Sequence, residues 1–191
     1  MIRRPALFSA LLLLALLLTS HAALAAKPKA GDILPDLEIK DVVQPQDAAY
    51  LGLTPGAKSF RLSQIKADAL LLEVFSMYCP RCQADAQAMN ELFARLKDDP
   101  KTRGLKFIGI GAGNSAFEVG VFRKKYKSPI PMFQDADFTL HKPLGAVGTP
   151  SFFVLRPRAG GKGFDVTFFQ EGASEDHEAL RKNVLEAAGI R

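Results

Sequence analysis

Cys79 and Cys82 stand three residues apart and are the only cysteines in a chain of 191 residues. They sit in Tyr78-Cys79-Pro80-Arg81-Cys82, after the apolar run Ala69 to Phe75 and ahead of a stretch with helical period. A dithiol at this spacing can close into a disulfide and reopen, passing two electrons to or from a partner disulfide. A cysteine at a helix start lies near unpaired backbone N–H groups and the positive end of the helix dipole, which favour thiolate. Pro80 suits the first helical turn, where its missing N–H costs nothing. Arg81 adds a positive charge beside Cys79. Cys82, Ala86, Met89, Phe93 and Leu96 fall on one helical stripe, so Cys82 is expected to be buried. Cys79 is thus the attacking thiol and Cys82 the resolving one.

Other chemistries of the pair are weaker. Half a zinc site needs two more ligands, and downstream of residue 25 only His141 and His177 remain, far apart in sequence. A purely structural disulfide would close a ring too small to restrain the unfolded chain much. Haem attachment through C-x-x-C-H fails at Gln83. A copper-binding or copper-delivery site using Cys79, Cys82 and His141 stays open as the alternative, because thiolates suit Cu(I). A dinucleotide reading of Gly109-Ile110-Gly111-Ala112-Gly113-Asn114 fails where the third glycine would fall on Asn114, and a tight turn past a strand fits better. No nucleophile elbow is present.

The elements that must carry the pair follow from the pattern. Ala69 to Phe75 reads as a strand covered on both faces, interrupted by the single acid Glu73. Gln83 to Lys97 reads as a helix ended by Asp98-Asp99-Pro100, Leu105 to Ile110 as a second buried strand, and Ser115 to Lys127 as a second helix. Pro129 to Phe133 is an extended piece at a sheet edge, and Asp137 to Leu144 is expected to be a short helix. Ser151 to Leu155 and Phe164 to Gln170 are strands joined near Gly160-Gly161, and Ser174 is expected to cap a last helix that stops before Gly189. Upstream, Leu37 to Val43 alternates like a strand, residues 44–58 read as a long loop, and Ser59 to Leu62 as a short strand. The alternation predicts an α/β domain with a mixed central sheet, helices on both faces and an N-terminal β extension.

Arg3 and Arg4 precede an apolar run from Ala6 to Leu18, broken only by Ser9, and Ala23-Leu24-Ala25 offers a small-x-small site. This is the pattern of a secretory signal peptide over 1–25, and the run is short for a membrane span. Residues 26–58 then form an N-terminal extension and loop, and 59–191 the redox domain. Export implies a periplasmic or other extracytoplasmic location, where a vicinal pair is oxidised unless electrons are supplied. The formal charge of +5 includes Arg3 and Arg4, and no basic stripe with interleaved aromatics argues for nucleic acid. The hydrophobic fraction of 48% excludes a largely disordered chain.

The segment Glu73 to Cys82, with Val147-Gly148-Thr149-Pro150-Ser151-Phe152-Phe153-Val154 downstream, resembles the thioredoxin fold. It is most similar to the exported branch typified by TlpA, ResA and the cytochrome c maturation thioredoxins, over about residues 31–188. Phe60-Arg61-Leu62-Ser63 and the extra N-terminal strands resemble that branch too. The resemblance implies a thiol–disulfide oxidoreductase, acting without a cofactor and as a monomer. It implies electrons from a membrane thiol reductant and substrates among exported disulfide proteins, apocytochrome c included. By the same resemblance Pro150 is cis and faces the cysteines, and the backbone of Thr149 pairs with substrate. Glu73 matches a buried acid that takes a proton from the resolving cysteine, and Asp85 matches an acid one turn beyond it. Tyr78, Pro80 and Arg81 join Thr149 as candidate substrate contacts. The sequence departs from the family where Phe75 and Tyr78 replace the usual Trp and where Pro80-Arg81 fills the dipeptide, which leaves an oxidising, DsbA-like role open. A peroxidase of the same general fold would need Pro and Thr where this chain has Leu72 and Ser76.

Overall fold

The computed structural model describes residues 27–161 and 163–191, so the signal-peptide segment 1–25 lies outside the described residues. The centre of the molecule is strand β4 (Ala69–Phe75), in which every residue is buried. It pairs in parallel with β5 (Leu105–Ala112) and antiparallel with β7 (Ser151–Pro157). Beyond these lie β6 (Met132–Asp135) on one side, and β8 (Phe164–Glu171) with the short β1 (Ile33–Leu34) on the other. The six-stranded order is β1-β8-β7-β4-β5-β6, a mixed sheet. A separate ribbon joins β2 (Glu38–Ile39) to β3 (Phe60–Arg61).

Alternation along β4 divides the core. Leu70, Leu72 and Val74 face one apolar cluster, while Ala69, Leu71 and Phe75 face another. The second cluster takes in helices α2 (Pro80–Asp98), α3 (Ala116–Tyr126) and α4 (His177–Ala187). The first is closed by the N-terminal segment and by Leu140, Leu144 and Val147. Helices therefore cover both faces, with the three longer ones on one side. By its parity Glu73 belongs to the face of α2.

Several expectations are corrected. Residues 44–58 are not all loop: α1 (Pro45–Leu51) forms there, with Pro45 in its first turn and Ala48 and Leu51 buried in the core. Asp47 on α1 receives both guanidinium nitrogens of Arg123 on α3, at 2.8 and 3.1 Å. Leu37 to Val43 pairs only at Glu38–Ile39. The stretch from Asp137 to Leu144 stays a chain of turns rather than a helix. The Asp135 carboxylate draws in the backbone N–H groups of Leu140 and His141 at 2.9 and 2.7 Å, and Phe138 takes φ 58°. Strand β5 runs two residues further than its apolar stretch, and the turn comes at Gly113, φ 67°. A side chain at Gly111 would lie 2.9 Å from Val119 Cγ2, so the bare backbone lets α3 pack close. The last helix is capped by Asp176, whose carboxylate accepts from Ala179 N, and not by Ser174, whose hydroxyl donates to Asp176 O.

Candidate active site

The cysteines sit where β4 gives way to α2. Cys79 is the N-cap residue with extended backbone (φ −79°, ψ 116°), and Pro80 opens the helix. Its sulfur accepts a hydrogen bond from Cys82 N at 3.3 Å, filling the capping role that an oxygen usually takes. In the thiol form it also donates to Thr149 O at 3.2 Å. Burial pushes the Cys79 thiol up, but hydrogen bonds from the Cys82 thiol, the Thr149 side chain and the Cys82 and Arg81 N–H groups outweigh it. The net direction is below the ordinary cysteine value. Cys82 is 2% exposed, and burial, the Cys79 sulfur and Glu73 together hold its thiol far above the ordinary value. Both thiols are unbridged. One sulfur is thus reachable and easily ionised, and the other buried and protonated.

The turn before Cys79 is held from below. Asn114, fully buried between β5 and α3, accepts from Met77 N through Oδ1 at 2.8 Å and donates to Ser76 Oγ at 3.4 Å. Gln83 Nε2 donates to Met77 O at 2.7 Å, and Cys79 N to Ser76 O at 3.1 Å. Tyr78 is exposed, and its hydroxyl is bonded to Glu118, the acid that also closes the capping box of α3 with Ser115. In the sequence Asn114 reads only as the place where a third glycine is missing. A polar residue just past a buried strand, level with the end of β4, was the available signal.

Across from the cysteines, the Thr149–Pro150 bond is cis. Gly172 N donates to Pro150 O at 2.7 Å, and Ser151 Oγ to Gly148 O at 2.6 Å, fixing this turn to β8. Thr149 is partly exposed, while Pro150 is buried. Pro80 and Arg81 are exposed at the rim.

Behind the pair lie two acids. Glu73 is 3% exposed, Oε2 has no hydrogen-bond partner, and burial, followed by Asp85 and Cys79, pushes its carboxyl up to about 8. Asp85, one turn beyond Cys82, is 7% exposed and leaves Oδ2 unpartnered. Its Oδ1 meets His177 Nε2 at 2.5 Å. In the sequence His177 reads only as a candidate zinc ligand, because nothing in the chain order shows that α4 brings it to α2. His141 goes elsewhere: its Nε2 contacts Val147 O at 2.7 Å. Among the described residues no group of three His, Cys, Asp or Glu could hold a metal ion, so His141 does not join the cysteines as a third ligand.

Comparison with known proteins agrees with this arrangement. The sequence model described as the AhpC/TSA family matches residues 30–160. The chain is 24% identical to the thiol-disulfide oxidoreductase ResA of Bacillus thuringiensis over 98 residues, covering 51% of this chain and 54% of that protein. It is 26% identical over 127 residues to the thiol:disulfide interchange protein DsbE of Vibrio cholerae, covering 65% and 58%. The chain therefore spans little more than half the length of these curated relatives. A crystal structure from Chlorobium tepidum, assigned as a thiol:disulfide interchange protein DsbE, superposes with a TM-score of 0.63 at 19% identity, covering 86% of this chain and all of that one. A secreted Mycobacterium tuberculosis disulfide oxidoreductase superposes at 0.53 with 20% identity, covering 68% and 90%. The fold is the thioredoxin fold.

Proposed function

The chain belongs to the AhpC/TSA family, and on that premise we propose that it is an exported thiol–disulfide oxidoreductase of the ResA/DsbE kind, reducing disulfides in extracytoplasmic proteins. The observation that carries this reading is the asymmetry of the two thiols: Cys79 accessible and lowered, Cys82 buried and raised. The Cys79 thiolate attacks a substrate disulfide, forms a mixed disulfide and expels one substrate thiolate. Deprotonated Cys82 then attacks the Cys79 sulfur, closing the intramolecular disulfide and releasing the second substrate thiolate. Two electrons leave the dithiol, and the protons shed by the two cysteines balance those taken up by the two substrate thiolates.

Each neighbour has a part in that cycle. Thr149 O, which the Cys79 thiol contacts, loses that bond on ionisation and becomes free to accept from a substrate N–H. Asp85, or Glu73 in its ionised form, receives the proton of Cys82. Tyr78, Pro80, Arg81 and Pro150 border the sulfur and meet the substrate chain. The signal segment 1–25 accounts for export, and a membrane thiol reductant resets the disulfide. Peroxide reduction, known for family members with a different motif, finds Leu72 and Ser76 where its Pro and Thr would stand.

Reduction of a protein disulfide by the purified chain tests the reading. Cys79→Ser should abolish it, and Cys82→Ser should accumulate a mixed disulfide through Cys79. A Cys79→Ser protein with full activity contradicts the mechanism.

A further inference from the structure

Asp85 is almost wholly buried, yet its carboxylate touches a ring that reaches water. His177 Nε2 lies 2.5 Å from Asp85 Oδ1, and the His177 side chain is 39% exposed against 7% for Asp85. The contact joins α2 to α4, elements separated by 92 residues between the two side chains. Oδ2 of the same carboxylate has no partner, as does Oε2 of Glu73. A buried acid with one oxygen tied and one free can accept a proton and also needs a route to lose it.

We propose that His177 is a positioning residue for the resolving step: it holds Asp85 ready beside Cys82 and passes the proton collected there out to solvent. The inference rests on the dithiol cycle above and extends it by one residue. When Cys82 attacks the mixed disulfide, its S–H proton moves to Asp85. The imidazole, hydrogen-bonded to Asp85, takes up a proton from the carboxyl and releases it at its exposed edge. No net proton or electron is added to the cycle; the ring only shortens the path of one proton.

Resolution should therefore depend on this ring. The other charged groups that face it are Glu91 and Arg95 on α2 and Glu178 and Arg181 on its own helix. Arg95 and Arg181 are both paired with Glu178, which leaves Asp85 as the direct acidic partner of the ring. Glu175 lies with Asp85 and Arg81 along a neighbouring hollow, and Asp176 is occupied as the cap of α4.

The test separates the two chemical steps by rapid quenching of the full protein with a disulfide peptide, across pH 5 to 9. In His177→Gln and His177→Ala, attack by Cys79 should keep its wild-type rate. Resolution should slow at least about tenfold, less than the roughly hundredfold or more of a group that takes the proton from the reacting atom itself. Added imidazole should restore resolution in His177→Ala. Wild-type resolution with an unchanged pH profile in both variants overturns the proposal. Attack and resolution slowed together, without imidazole rescue, also overturns it, since a merely structural role would do that. Failure of the underlying cycle has a different signature, namely disulfide reduction persisting in Cys79→Ser.

Discussion

At the scale of single residues, the decisive contrast is between two thiols that differ in solvent access more than in chemistry. Cys79 caps a helix with its sulfur, and Cys82 lies one turn in on the apolar stripe. The acid behind them is held out of its usual state. Glu73 stays protonated to about pH 8 in the fold, mainly through burial, whereas the unfolded chain ionises near 4.5. Between those values the folded state holds one more proton than the unfolded one. Stability from this group is therefore complete below about pH 4.5 and falls as pH rises towards 8, by up to about 1.4 kcal/mol per unit. Glu73→Gln removes the dependence. In urea titrations of the reduced protein, the variant should gain on wild type between pH 5 and pH 8. Parallel behaviour of the two proteins across that range would mean that Glu73 is ionised in the fold.

At the scale of elements, the site depends on strand and helix ends meeting at one end of the sheet. β4 and β5 finish side by side, and Asn114, just past β5, ties down the turn between β4 and α2. Asn114→Ala leaves the half-buried Met77 N–H without its acceptor, which should lower stability by about 1 kcal/mol. Alkylation of Cys79 should slow as well, because the turn that presents the sulfur loosens. A stability loss with unchanged alkylation would assign the presentation of Cys79 to Gln83 and Ser76 instead. Much at this scale was legible in the sequence. The apolar run of β4, the stripe on α2 and the start of α3 at Ser115 are local patterns, and Glu73 stands out as the lone acid in its run. What was hidden depended on distant partners. Helix α1 is fastened by Asp47 to Arg123, the turns after β6 are drawn together by the Asp135 carboxylate, and His177 acquires its role only when α4 packs on α2. None of these leaves a periodic trace.

At the scale of the whole molecule, the fold closes one face of its sheet with three long helices and the other with the N-terminal segment. The dithiol lies on the helical face, with acids behind it instead of a cation. A strong oxidant in this fold stabilises its reduced form as a thiolate. Here the Cys79 thiol donates to Thr149 O, Cys82 is held protonated, and Arg81 is exposed at the rim. On the proposed function the pair gives electrons away, because Cys82, held protonated, gains nothing by ionising even though the Cys79 thiol is lowered. The reduction potential of the Cys79–Cys82 pair, titrated in glutathione buffers, tests this most directly. The predicted value lies near that of thioredoxin, about −270 mV, whereas a value near about −120 mV would make the pair an oxidant and contradict the account.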